Sequence, residues 1–249
     1  MPYTFRQSPN RSSRRGTTVS AIILHFTAGA TLAGTLRWFA NPKARVSAHY
    51  VVGRDGQVVQ MVQEHEKAWH AGVASLEGDP RVNSVSIGIE LVNWGELKKS
   101  GELDFYCWPE EFTRRYDIDK FGMPEAFDKY VDGKLTRTYW APYPEAQLSA
   151  VIKLCQEIAQ RYQDITPERI LGHEDVSPTR KNDPGPALDI GRIRREAFVL
   201  HDELYSDSAG EDEVPEDELS KRQGDRAEPL GWVSGLLAFL KRMRSRHAS

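Results

Sequence analysis

Apolar and polar positions follow several distinct rhythms along this chain, and each rhythm predicts an element. Residues 19–26 form a nearly unbroken apolar run rich in β-branched side chains, the pattern of a buried central strand. Thr27-Ala28-Gly29 ends the run and leaves His25 at the mouth of the strand. Leu32, Leu36 and Phe39 recur at helical spacing behind Thr31, a good helix cap, and Asn41-Pro42 stops the segment, so a helix is expected over 31–41. The runs 48–52 and 57–62 flank Gly53-Arg54-Asp55-Gly56 and read as a hairpin around an Asp-Gly turn. Residues 84–93 read as another strand. Its period of two sends Ile87, Ile89 and Leu91 to one face, and Ser86, Gly88, Glu90 and Val92 to the other. The clearest helix covers 144–162, where Leu148, Val151, Ile152, Cys155, Ile158 and Tyr162 recur at i+3 and i+4 behind Pro144. Ile170-Leu171 is a short strand, and 189–204 a further helix with Ile190, Ile193, Ala197, Leu200 and Leu204 on its buried side.

Other stretches break these rhythms. Residues 1–17 carry four arginines and no acid, and are expected to be a mobile basic arm. Between 95 and 143 no clean period appears, although eleven of the 24 aromatic residues lie there, among them Phe105, Tyr106, Trp108, Tyr139 and Trp140. This stretch reads as an insertion between strand and helix. Covering the edge of the core is the simpler role for its rings, and stacking on a ligand in a groove is the other. Residues 206–229 form an acidic linker: 202–228 hold eleven Asp and Glu against three Lys and Arg. In 230–249, Trp232, Val233, Leu236, Leu237, Leu240 and Met243 make an apolar stripe that ends in Lys241, Arg242, Arg244 and Arg246. Such a basic amphipathic helix suits a membrane-surface or partner contact, or packs back on the main domain, which is placed at 18–205.

Composition narrows the function classes. A chain of 249 residues builds one sizeable domain with appendages, or two small domains. Its net charge of −3 argues against general nucleic-acid binding. Cys107 and Cys155 fit no metal, redox or disulfide pattern, so any metal must be held by His and carboxylate. No apolar run is long enough to span a bilayer, and no secretory signal is read, so cytoplasmic synthesis is expected.

Candidate chemistry concentrates at 172–186. His173, Lys181 and Asp183 fall within eleven residues of a segment rich in proline and glycine, expected to be a fixed loop rather than a helix. His173 and Asp183 are both ligand types that Zn²⁺ accepts, but two ligands do not make a site. Taken alone, His25 is more often a satisfied core residue, His49 serves packing or a hydrogen bond, and Lys181 is an exposed charge. Trp69 and His70, in Ala68-Trp69-His70-Ala71-Gly72, either pack a surface connection or wall a substrate groove. Glu90 is an acid flanked by apolar residues. Burial there is costly unless the group is paired or its pKa shifts. It reads as a general base or a partner to a metal ligand, or more simply as half of a structural salt bridge.

Five segments together carry a resemblance: 22–29 (IILHFTAG), 47–56 (SAHYVVGRDG), 68–72 (AWHAG), 86–93 (SIGIELVN) and 172–186 (GHEDVSPTRKNDPGP). In this order the chain resembles the zinc-dependent N-acetylmuramoyl-L-alanine amidases, the family that includes T7 lysozyme and the animal peptidoglycan recognition proteins. It is most similar to the bacterial branch that uses a catalytic glutamate. The resemblance covers about 19–200. It implies a mixed α/β fold, a central mixed β-sheet flanked by helices. It makes His25, His173 and Asp183 zinc ligands, Glu90 the proton acceptor, Lys181 the stabiliser of the oxyanion, and Trp69, His70 and Asn93 parts of a substrate groove. Some relatives carry cysteine in place of Asp183, and some a tyrosine in place of Ala48; both departures point to the glutamate-using branch. The expected function is hydrolysis of the amide between N-acetylmuramic acid and L-alanine, with Zn²⁺ as cofactor and peptidoglycan or muropeptide fragments as partners. The site of action is then the cytoplasm, in recycling, or the cell envelope after release. The rival expectation is a non-catalytic peptidoglycan-binding protein.

Overall fold

A computed structural model describes residues 3–107, 114–131 and 133–206. Trp108, the linker expected over 206–229 beyond Ser206 and the basic amphipathic helix expected over 230–249 lie outside the described residues. The first half of the chain runs β1 (Thr4–Phe5), β2 (Arg11–Ser13), β3 (Ala21–Phe26), α1 (Leu32–Phe39), β4 (Tyr50–Val52), β5 (Val58–Gln60), β6 (Glu66–Ala68), α2 (Val82–Val85) and β7 (Ser86–Leu91). The insertion holds β8 (Glu96–Lys99), β9 (Phe105–Cys107), β10 (Arg114–Arg115), α3 (Ile118–Phe121), β11 (Glu125–Val131) and β12 (Lys134–Trp140). The chain then continues through α4 (Glu145–Arg161), β13 (Ile170–Gly172), α5 (His173–Val176) and α6 (Ile190–Ser206).

The fold is the mixed α/β architecture expected. Its central sheet has six strands in the order β1-β5-β4-β7-β3-β13. The four strands from β4 to β13 are mutually parallel, while β5 joins β4 as the antiparallel arm of the Asp-Gly hairpin. Parallel strands are covered on both faces, which is why β3 reads as a continuous apolar run. On one face Ile22, Leu24, Ile87, Ile89 and Leu91 pack with Val151, Leu154, Cys155 and Ile158 of α4 and Ile193 and Ala197 of α6. Each such fully buried side chain contributes about 1.5–3 kcal/mol of transfer free energy. Two smaller clusters cover the opposite face. Leu32, Leu36 and Phe39 of α1 pack over Val51, Val59 and Met61, while Ala71, Val82 and Val176 gather on Ile23. The α1 helix starts where its cap predicts, with the Thr31 hydroxyl oxygen accepting from the Gly34 N–H at 3.2 Å.

The mobile arm expected over 1–17 is corrected by the structure over its described residues. β1 adds to the central sheet beside β5, and β2 pairs antiparallel with β6. Arg14 is only 5% exposed. Its guanidinium donates to the main-chain oxygens of Glu64, Ser84 and Ser86 at 2.6–2.8 Å, so fixed carbonyls replace the water that an arginine normally keeps. Burial lowers the Arg14 pKa to about 10, still far above neutrality.

The insertion folds as a second, fully antiparallel sheet of five strands in the order β10-β9-β8-β12-β11. It has its own small core of Trp94, Leu97, Phe105, Cys107, Tyr116, Phe121 and Ala141. Cations lie over its rings: Lys99 above Phe105 and Tyr139, Arg114 above Trp94 and Lys129 above Trp140. Among the described residues no helix is long and apolar enough to cross a membrane.

Candidate metal centre and catalytic cleft

Three adjacent parallel strands bring the polar groups to one place, at their carboxyl ends, where open α/β sheets commonly bind ligands. His25 lies near the end of β3 and is paired in register with Glu90 of β7, so both side chains project from the same face. On the other side of β3, β13 ends at Gly172 and delivers His173 as the first residue of α5. This turn of helix corrects the expectation of a wholly non-helical loop. The prolines begin only at 178, and the Asp175 carboxylate accepts from the Gly172 N–H at 2.8 Å, so the first turn is free to wind. The remaining segment returns along α5, with the Glu174 N–H donating to the Asp183 carbonyl at 2.9 Å, and sets Asp183 beside the two histidines.

The Nδ1 atoms of His25 and His173 lie 3.0 Å apart, and each is 3.0 Å from Asp183 Oδ2. The three residues are 1%, 2% and 6% exposed. His173 Nε2 is 2.9 Å from the Ala71 carbonyl, which only accepts, so Nε2 carries the hydrogen and Nδ1 turns a lone pair inward. A buried imidazole lone pair and a carboxylate oxygen this close repel unless a proton or a cation lies between them. Two nitrogens and one oxygen make a donor set that a borderline divalent cation accepts, and three protein ligands leave a coordination position open. These are the only three His, Cys, Asp or Glu residues grouped this way among the described residues. Burial would raise the Asp183 carboxyl, but the two imidazoles beside it outweigh burial and hold it well below the usual carboxylate range. Burial lowers the pKa of His25, which favours the neutral ring that a metal ligand requires.

Glu90 faces the same space. Its Oε2 has no hydrogen-bond partner among the described residues and no contact with solvent. Burial first, and then the charge of Asp183, push its pKa well above the ordinary value, while Lys181 opposes them. Among the described residues nothing pairs with Glu90 as a structural salt bridge would require. His25, Glu90, His173, Lys181 and Asp183 all line one cleft of about 330 Å³, with Trp38, Val46 and Trp69 among its other walls. Trp69 lines the cleft, with its indole N–H donating to Ser12 Oγ at 3.0 Å. His70 also borders the cleft, but its Nδ1 lies 3.0 Å from His25 Nε2, a partnership that its place in the sequence did not suggest. Asn93 does not join them, which corrects its placement in the groove. It is buried, and its amide donates to the Ala141 and Pro142 carbonyls while accepting from the Gly95 N–H at 2.7 Å, so it ties the end of β7 to the end of the insertion.

Sequence reasoning missed the residues that hold the 172–186 segment in place. The Trp140 ring fills the space beside Gly185, where a Cβ would come within 2.2 Å of it; Gly185 also has a φ of +75°, so glycine is required twice over. The Tyr143 hydroxyl donates to the Pro184 carbonyl at 2.8 Å, and the Asn182 amide donates to Glu96 at 2.9 Å. Arg180 donates to the carbonyls of Ala71 and Val73. The one sequence signal was Pro184-Gly185-Pro186, which marks a constrained backbone but not its partner.

Known proteins resemble this chain in sequence and in fold. The family model for N-acetylmuramoyl-L-alanine amidase matches residues 15–186. The N-acetylmuramoyl-L-alanine amidase AmiD of Escherichia coli K12 is 31% identical over 187 residues, 72% of this chain and 54% of that protein. The 1,6-anhydro-N-acetylmuramyl-L-alanine amidase AmpD of the same organism is 31% identical over 150 residues, 60% of this chain and 57% of that protein. The aligned part therefore spans a little over half the length of these curated relatives. Among solved structures, an AmpD chain superposes with a TM-score of 0.54 at 25% identity, covering 78% of this chain and 93% of that one. AmiD of E. coli, solved with anhydro-N-acetylmuramic acid-L-Ala-D-gamma-Glu-L-Lys, superposes with a TM-score of 0.53 at 29% identity over 77% and 60%. By the length of that match and by the fold it shares with these structures, the chain belongs to the N-acetylmuramoyl-L-alanine amidase family.

Proposed function

We propose that the protein hydrolyses the amide that joins the lactyl group of N-acetylmuramic acid to the L-alanine of a peptidoglycan stem peptide, with Zn²⁺ held by His25, His173 and Asp183. The observation that carries this reading is Glu90, a carboxylate with one buried, unpartnered oxygen, facing His25 of the metal-type donor cluster across neighbouring strands. A Zn²⁺ ion on these donors supplies a Lewis acid for the amide carbonyl and lowers the pKa of water to about 7. Glu90 takes a proton from the attacking water as its oxygen bonds to the carbonyl carbon. The raised pKa of Glu90 moves it towards the operating range of a general base. Lys181 donates to the carbonyl oxygen as negative charge builds there, a role worth about 2.7–4 kcal/mol for one well-placed donor. Glu90 then passes its proton to the alanine nitrogen as the C–N bond breaks, leaving a muramyl carboxylic acid, which gives up its remaining proton to the released amine or to water, and a free stem peptide. Trp69 and the exposed Trp38 offer apolar cleft walls to the substrate.

The test is mass spectrometry of products from soluble anhydro-muropeptides and from whole sacculi, run side by side with and without chelator. Release of stem peptide that chelator stops is expected. Zinc-loaded protein that binds muropeptide and releases nothing would establish the non-catalytic alternative. The preferred substrate also separates a role in recycling fragments in the cytoplasm from one in the cell envelope.

A further inference from the structure

His70 plays no part in the chemistry above, yet it sits in a chain of polar atoms that starts at a metal-type donor and ends in the protein interior. His25 Nε2 lies 3.0 Å from His70 Nδ1, and His70 Nε2 lies 3.3 Å from Ser86 Oγ. The Ser86 hydroxyl in turn donates to the Val82 carbonyl at 2.6 Å. The last link fixes the direction of all the others. A carbonyl only accepts, so the single Ser86 hydrogen is committed to Val82. Ser86 Oγ must then accept from His70 Nε2–H, which leaves Nδ1 of the neutral His70 ring bare. That nitrogen accepts from His25 Nε2–H, and the lone pair of His25 is left on Nδ1, the atom aimed at His173 and Asp183.

We propose that His70, anchored by Ser86, is a positioning residue that sets the tautomer and ring angle of His25 so that Nδ1 is presented to the metal. His173 is set the same way by a bare carbonyl, that of Ala71. His25 lies in the middle of a parallel sheet whose main-chain carbonyls are engaged with neighbouring strands, so a side chain has to supply its acceptor. Strand β7 is shaped for this. Ser86, Gly88 and Glu90 alternate onto one face, and at Gly88 a Cβ would come within 2.4 Å of the His70 ring. The same strand face thus supplies the anchor, the space for the ring and the carboxylate.

The inference rests on the metal reading, and the experiment separates the two. Zinc affinity is measured by competition with a chromophoric chelator for the wild type, His70→Leu, His70→Asn and Ser86→Ala, with thermal unfolding of each zinc-free protein as a check on folding. His70→Leu is expected to weaken zinc binding about 10–100-fold, while His70→Asn, whose amide oxygen replaces Nδ1 as acceptor, stays within about threefold of wild type. Ser86→Ala is expected to fall between them. Long-range ¹H–¹⁵N spectra of zinc-loaded wild type should show His70 as the Nε2–H tautomer. A wild type that binds no zinc overturns the metal reading itself. A zinc-binding wild type with His70 protonated on Nδ1, or with His70→Leu equally tight, overturns this inference alone. So does a folded His70→Asn as weak as His70→Leu, which would mean that ring packing and not the acceptor matters. If His70→Leu does not fold, His70→Asn and the spectra decide.

Discussion

The central sheet and the insertion sheet serve the cleft in opposite ways. The central sheet supplies reactive groups from inside regular strands: His25 and Glu90 facing each other on neighbouring strands, and His173 one residue past the end of β13. The insertion places none of the five proposed ligand and catalytic side chains. It holds the segment that carries Lys181 and Asp183, through Trp140 against Gly185 and Glu96 against Asn182, while Tyr143 at its edge bonds the Pro184 carbonyl. Half of the site is positioned by hydrogen-bond register and half by side-chain packing. Damage should therefore differ in kind. Changes on the strand side remove a chemical step and leave the scaffold intact, whereas changes on the insertion side leave the groups present but misplaced.

The largest expected effect is on the strand side. Glu90→Gln should lower kcat by about 10²–10⁴-fold, the range for loss of a positioned general base, with bound zinc unchanged by elemental analysis. An active Glu90→Gln enzyme would remove the proposed role. Next is Lys181→Met, expected to lower kcat by about 10²–10³-fold with little change in KM, measured by timed release of stem peptide. Trp140→Ala tests the insertion side. It should destabilise the protein by about 3–5 kcal/mol in urea unfolding. In the fraction still folded, activity should fall about 10²-fold through misplacement of Asp183 and Lys181. If Trp140→Ala keeps full activity per folded molecule, the clamping role fails and the two halves are not distinct.

The smallest effect concerns stability and pH. Folding raises the Glu90 pKa above its ordinary 4.5, so the folded state holds the proton to higher pH than the unfolded state does. The sign follows: wild type loses stability as pH rises from 4.5 towards the folded pKa, with a slope of at most about 1.4 kcal/mol per pH unit. Zinc-free Glu90→Gln, which cannot ionise there, should match wild type below pH 4.5 and exceed it at neutral pH by urea unfolding. Equal stability at neutral pH would show that the buried carboxylate carries no such penalty.

The same division explains what could be read from the chain alone. Strands β3 and β7 and helix α4 were legible because burial on defined faces imposes a period. The insertion strands hide at most one face over a small core, and cations cover several of their rings, so even the seven-residue strands β11 and β12 show no continuous apolar run. Its longest hairpin did leave one signal, the Asp132-Gly133 pair between β11 and β12. Arg14 was misread with the rest of the N-terminal segment because its partners are main-chain oxygens some 50–72 residues away, which no composition reveals. Asn93 was misplaced for a related reason: a motif fixes the residue, but the neighbouring insertion decides which way the side chain is used. His173 and Asp183 stood out by residue type within the 172–186 segment, whereas His25, Glu90 and Lys181 needed the motif resemblance, since their residue types alone favoured quieter roles.

The pairing of His25 with Glu90 has a consequence for how such a site can change over time. The gap between the two backbone positions is set by the spacing of hydrogen-bonded strands, about 4.8 Å, a dimension of the peptide backbone that no surrounding side chain can adjust. Mutation can lengthen or shorten the carboxylate, or rebuild the loop opposite, but the ruler itself is fixed. Any pair of parallel strands ending at a cleft already contains this ruler, so two substitutions at facing positions on neighbouring strands place two of the five groups at this spacing in a different scaffold.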